Sequence, residues 1–308
     1  MTDPDLPSLL ASGEHAAFHG KPLAAVGVLE RAVALAQARE LAAEMTAASW
    51  LLGVALGAAG RYGGALSVLA PLVDAASAPD ATAEDRLFGS LSSATIASIH
   101  RQLGRHAIAR TADTDALALT DGTGEAAFDA LVGLACDAVG LDEADEAAAR
   151  LVQAEQVLPG HGDEWWRQRV RLGWAQAEVA MMAGRTEDAA GLAAAAVQRA
   201  EDARAPRHVS KGLLLLGLAQ VSHDHPDAAA TLRRSATFAE SLGVLPLVWP
   251  ARALLGALLA EGAEGDRGES DRSLAAARAA VLAIAGDLPP GVRAEWLARP
   301  DLAALLEA

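Results

Sequence analysis

The sequence predicts an all-α protein built from antiparallel helix pairs, and three observations predict it. About a quarter of the 308 residues are alanine, whereas aromatic residues make up 4%; strands draw on β-branched and aromatic side chains, so an all-β architecture is disfavoured. Leu, Val and Ala recur at three- and four-residue intervals, as in Val28-Leu29-Ala32-Val33 and Leu66-Leu69-Leu72-Val73, which is the period of an amphipathic helix. A glycine-bearing turn returns at Gly20, Gly60, Gly104, Gly140 and Gly184, with spacings of 40, 44, 36 and 44 residues.

Each turn glycine is expected to end the first helix of a pair at a left-handed position, where a Cβ is penalised. His223-Asp224-His225-Pro226 takes the next turn without a glycine, and Gly262 lies near the seventh. Ala25, Ala65, Ala109 and Ala189 each follow their glycine by five residues; a small side chain there lets the second helix approach the first. In chain order the pairs are expected at about 5–42, 43–78, 82–120, 124–159, 163–203, 206–242 and 247–285, with a capping helix from Leu297 onward. Leu302, Leu305 and Leu306 are expected to cover the apolar face of the last pair. Linkers are expected at 78–80, 120–124, 158–162 and 262–271, the last a mobile Gly/Glu/Asp-rich loop. None marks a domain boundary, so 1–308 is expected as one solenoid domain in which each repeat contacts its neighbours.

Charge narrows the partners. Forty acidic residues stand against 25 basic ones, a formal net charge of −15, and Lys21 and Lys211 are the only lysines. Such a chain repels phosphate backbones and anionic membrane surfaces, so neither nucleic acid nor membrane is an expected partner. The single cysteine, Cys136, forms no internal disulfide and is expected as a small buried hydrophobe. The acidic start Met1-Thr2-Asp3-Pro4-Asp5 is unlike a signal peptide, and no run of about 18 uninterrupted apolar residues occurs. A cytoplasmic location is expected.

Catalytic signatures are missing. There is no phosphate loop, no dinucleotide fingerprint following a strand, no nucleophile elbow and no His-Glu-x-x-His pair. A non-catalytic protein is expected, with an enzyme subunit as the alternative. His15 and His19 share a helix face, and His223-Asp224-His225 with Asp227 forms a polar turn. Packing and turn chemistry are preferred for both over a metal; no metal or cofactor is expected. Trp165-Trp166 beside Arg167, Arg169 and Arg171 is either core packing with a basic face or a binding anchor.

Leu52-Gly53 followed by Gly60, Tyr62 and Ala65 resembles the tetratricopeptide repeat (TPR). Val132-Gly133 with Gly140, and Leu216-Gly217, match in part; Gln176-Ala177 with Gly184 and Ala189 is a weaker copy. Most repeats run longer than the family's usual length. They are also similar to the helical-repeat regions of large bacterial transcription activators of the maltose-regulator type and of peptide-sensing bacterial regulators. The tail from Leu288 to Leu297 is similar to the end of such regions. The resemblance implies a right-handed superhelix whose first helices line a concave groove.

Carried onto this sequence, the family's groove positions are Trp50 and Val54; Ser98, Arg101 and Gln102; Asp137; Arg171, Trp174, Glu178 and Met181; and Lys211 and Leu214. Arg101, Arg171 and Lys211 would focus positive potential on an acidic ligand or a C-terminal carboxylate, and Trp50 and Trp174 would add apolar contact area. The expected function is a peptide- or protein-binding scaffold or adaptor. The alternative is a regulatory sensor that responds to a small ligand or signalling peptide. A homo-oligomer stays open.

Overall fold

The computed structural model describes residues 5–158, 163–261 and 267–307, and every regular element among them is helical. The chain divides into two compact units, Met1–Gln168 and Arg169–Ala308. The first holds α1 (Leu6–His19), α2 (Pro22–Ala38), α3 (Ala42–Ala59), α4 (Tyr62–Ala76), α5 (Ala83–Gln102), α6 (His106–Ala118), α7 (Gly124–Gly140), α8 (Ala144–Val157), a 3-10 turn (Asp163–Trp165) and the start of α9 (Trp166–Met182). The second holds the rest of α9, then α10 (Thr186–Asp202), α11 (Pro206–Val221), α12 (Ala228–Leu242), α13 (Leu245–Ala260), α14 (Arg267–Asp287), α15 (Pro290–Leu297) and α16 (Pro300–Glu307).

Consecutive helices pack on each other from α1 to α8 and again from α10 to α14. The odd-numbered helices also touch in series, α1 on α3, α3 on α5 and α5 on α7, and likewise α11 on α13. They therefore form a shared layer within each unit. Small residues at the crossings set the helix separation. A Cβ on Gly53 of α3 would run into the Leu69 side chain of α4, and one on Gly217 would meet Leu232. The four alanines placed five residues after turn glycines, Ala25, Ala65, Ala109 and Ala189, are all fully buried.

The turns divide by chemistry. Gly60, Gly104 and Gly184 are left-handed, as their spacing predicts. Gly20 is not, with φ −119°, and Gly140 stays inside α7. The left-handed residue after α7 is Asp142 (φ 61°), and after α11 it is Asp224 (φ 55°). Asp tolerates this region because its short side chain bonds locally. Counting from Asp142 instead of Gly140 restores the alanine offset, because Ala147 is fully buried.

The carboxyl end differs from expectation in two places. The cap is two short helices, with Leu297 closing α15 and Leu302 and Leu305 of α16 buried; both helices pack on α14. Residues 267–271, expected within a loop, form the first turn of α14, and 262–266 lie outside the described residues. The expected linker 158–162 likewise falls mostly outside them. One described helix, α3, is long and apolar enough to cross a membrane. Its apolar side chains Leu51, Leu52, Ala55, Leu56 and Ala59 are buried, and it packs against α1, α2, α4 and α5.

Candidate functional site

The expected groove residues separate into three environments. In the first unit, Trp50 of α3 lies half-buried between Phe18 of α1 and Phe88 of α5, with ring centroids 6.5 and 6.0 Å away. Val54 sits one turn further along α3, also half-buried. The three rings form an aromatic row across α1, α3 and α5, in tilted contacts that suit aromatic quadrupoles. Sequence reasoning found Trp50 and missed Phe18 and Phe88, although these two are half of the chain's four phenylalanines.

On α5, Gln102 accepts a hydrogen bond from the buried Tyr62 hydroxyl at 2.8 Å and donates to the Ser98 carbonyl at 3.3 Å. Burial pushes the Tyr62 hydroxyl well above its ordinary pKa, which keeps it a donor. Gln102 therefore ties α4 to α5, with the Ser98 carbonyl of its own helix holding its amide in place.

Arg101 departs from the expectation that it offers charge to a ligand. Its guanidinium is ion-paired to Asp113 of α6 and, at 3.1 Å, to Asp137 of α7, and it donates to the Gly133 carbonyl at 3.3 Å. Both carboxylates are completely buried and the arginine side chain is 13% exposed. Burial raises the Asp113 pKa well above its ordinary value, against the pull of Arg101, and it raises that of Asp137 as well. Burial opposes charge on Arg101, but Asp113 and Asp137 more than offset it and hold the guanidinium protonated. Two buried acids around one arginine share their protons as a pair. Gly133 is required here, because a Cβ at that position would occupy the space of the Asp113 carboxylate. Arg101 and Asp137 thus join α5, α6 and α7 and do not line an open surface.

In the second unit the structure brings together Trp174 and Glu178 of α9 and Lys211 of α11. The Lys211 ammonium lies 4.8 Å from the Trp174 ring centroid and 3.9 Å from the Glu178 carboxylate. His208, one turn before Lys211, stacks on the other part of the cluster, 5.4 Å from the Trp174 ring at 17°. The Lys211 and Glu178 side chains are 38% and 22% exposed. Arg171 lies seven residues before Glu178, on the same face of α9, and is half-buried. Met181 and Leu214 are half-buried on α9 and α11. This is a partly open surface carrying both signs of charge above the buried Trp174 ring.

The remaining candidates make contacts with their neighbours. His15 and His19 stack at 5.2 Å, and His19 also meets Trp166 at 5.0 Å. His223 and His225 meet edge to face in the α11–α12 turn, where the His225 ring accepts a hydrogen bond from the Asp227 amide at 3.2 Å. No group of three His, Cys, Asp or Glu side chains is arranged to hold a metal among the described residues. Cys136 is half-buried rather than buried.

No protein-family model matches the chain, and no curated protein matches it. In three dimensions it is similar to a Rap protein crystallised in complex with competence and sporulation factor. The TM-score is 0.64 and the sequence identity 11%, over 97% of this chain and 80% of that one. It is also similar to the apo form of RapI, with a TM-score of 0.48 and 10% identity over 98% and 84% of the two chains. At 11% identity the first likeness is one of fold. The chain has the TPR-like helical-repeat architecture of that first structure.

Proposed function

We propose that the protein is a non-catalytic scaffold that binds a peptide or a segment of a partner protein on the layer formed by its odd-numbered helices. In this reading the helices make seven pairs in a right-handed superhelix, the layer lines its concave side, and the protein works in the bacterial cytoplasm. The observation that carries the proposal is the Trp174–Glu178–Lys211 surface. An ion pair at 3.9 Å that is partly open to water contributes under about 1 kcal/mol. A ligand carboxylate can therefore replace Glu178 at little cost, while the Trp174 ring, itself buried beneath the pair, holds Lys211 in place by a cation–π contact.

Arg171, one and two turns before Trp174 and Glu178, extends the cationic edge. The ligand chemistry this favours is a carboxylate, from an acidic side chain or a chain terminus. Arg101 is excluded from the ligand set, because releasing it would strand two buried carboxylates. The test is affinity capture from the native cytoplasm with wild type and Arg171→Glu/Lys211→Glu, followed by mass spectrometry. A protein lost from the variant capture supports the proposal, and identical captures contradict it.

A second reading is a sensor in which a bound ligand changes the contacts between repeats. The likeness to a Rap protein complexed with competence and sporulation factor favours it, and it falls within the peptide-sensing resemblance read from the sequence. A ligand-induced change in small-angle scattering distinguishes it from a rigid scaffold.

A further inference from the structure

The last residues of the first unit make contacts that the proposed scaffold does not need. The Arg167 guanidinium lies 5.4 Å from the centroid of the Phe18 ring of α1. The same side chain is ion-paired with Glu125 and, at 3.1 Å, with Asp129, both on α7. It is 12% exposed despite its charge. The Trp166 ring sits 5.0 Å from His19 of α1, and the Trp165 ring meets Phe128 of α7 edge-on at 6.2 Å. Three consecutive residues therefore grip the first odd-numbered helix and the fourth.

The grip lands at a particular place. Phe18 is the first ring of the row that continues through Trp50 to Phe88. A guanidinium stacked on an aromatic face and satisfied by two carboxylates is one of the stronger contacts a protein surface makes. Arg167 is thus both an anchor and a cover at one end of the aromatic row.

We infer that Trp165-Trp166-Arg167 is an autoinhibitory strap, which holds the end of α1 against α7 and covers the Phe18 end of the Phe18–Trp50–Phe88 row until the strap is displaced. The inference rests on reading the odd-numbered layer as the ligand surface. The strap itself is measurable without any ligand. Residues Phe18 and His19 belong to the last turn of α1, whose first turns are held separately by Leu6 and Leu9 in the core with Ala32, Ala36 and Ala48. Opening the strap should therefore free the end of α1 and leave its start packed.

Amide hydrogen exchange on the full-length chain tests this, with wild type, Arg167→Ala, Phe18→Leu and the conservative Arg167→Lys. In Arg167→Ala and in Phe18→Leu, amides of residues 13–20 should exchange at least about threefold faster, with those of α12 and α13 unchanged. Arg167→Lys keeps the charge and loses the planar stacking, so it should fall between. A companion titration with the dye anilinonaphthalene sulfonate should show more binding to Arg167→Ala than to wild type, as the aromatic row opens. Unchanged exchange at 13–20 in both Arg167→Ala and Phe18→Leu overturns the strap. So does equal acceleration throughout the chain, which is general destabilisation. Faster exchange without extra dye binding overturns the covering role, and leaves the Trp174–Lys211 surface to be judged by its own capture experiment.

Discussion

The two units solve one problem in different ways. Both are alanine-rich helix stacks whose helices approach closely, and both must satisfy polar groups caught between them. The second unit does so with neutral pairs: Ser210 and Ser235 exchange hydroxyl-to-carbonyl hydrogen bonds at 3.0 and 2.8 Å, and Ser270 donates to the Gly256 carbonyl at 2.7 Å. The first unit uses hydroxyls too, with Ser90 donating to the Ala116 carbonyl and Ser93 to that of Ala112. It adds the buried Arg101–Asp113–Asp137 cluster and the Arg167–Glu125–Asp129 grip. In the second unit the described ion pairs, such as Arg233–Glu269 and Lys211–Glu178, keep one or both partners partly exposed. A serine pair is insensitive to pH and salt, whereas a buried triad with one excess acid is not. The first unit should therefore be the one whose stability is set by charge.

Breaking the triad gives the largest expected effect. Arg101→Met leaves two buried carboxylates without a cation and should cost about 3–5 kcal/mol, seen as lost hydrogen-exchange protection in α5–α7 with α11–α13 preserved. Equal loss in both regions would remove the distinction between the units. Gly53→Ala comes next: a methyl pushed into the fully buried Leu69 side chain should cost about 1–3 kcal/mol in urea unfolding.

A third test reads the charge directly. Asp113 and Asp137 bind protons more tightly in the folded state than in the unfolded chain, where a carboxyl titrates near 3.8. Their contribution is fully present below that value and is lost as pH rises through their raised folded values. The acids of this unit with lowered pKa, Asp5, Asp85, Asp121 and Glu143, act in the opposite sense and only at lower pH. Exchange protection of α5–α7, corrected for intrinsic rates, should therefore fall relative to α11–α13 as pH rises above the unfolded value of 3.8, and Asp113→Asn should flatten the trend. Rising relative protection would contradict the shared-proton description.

The smallest effects are gains. A Cβ at Gly27 of α2 or Gly191 of α10 meets nothing within 4 Å. Alanine at either position should raise stability by about 0.5–1 kcal/mol in both units alike, because helix propensity does not depend on which polar device surrounds it.

The helix layout was legible because its causes are local. Leu52-Gly53 and Leu216-Gly217 mark the crossings, and turn residues recur at repeat spacing. The displaced turn at Asp142 is masked in the sequence because Asp and Gly both reach left-handed geometry and Gly140 lies two residues before it. The triad was only half visible. The repeat register placed Arg101 and Asp137 on odd-numbered helices but said nothing of Asp113, which comes from α6. A signal was available: Asp113 lies between Ala109 and Ala116 at helical spacing, in a stripe that is otherwise buried alanine. An acid at a core position calls for a cation, and Arg101 is the one it finds. The Arg167 grip on Phe18 joins residues 149 apart, and no local pattern encodes such a contact.

The most direct test of the scaffold is equilibrium binding of a captured partner to two double variants of equal charge change. Arg171→Glu/Lys211→Glu alters the proposed surface, and Arg233→Glu/Arg234→Glu alters cations elsewhere in the same unit. Circular dichroism verifies that both keep wild-type helicity. The account predicts that affinity falls at least tenfold in the first variant and stays at the wild-type level in the second. Equal affinities in the two variants would contradict it.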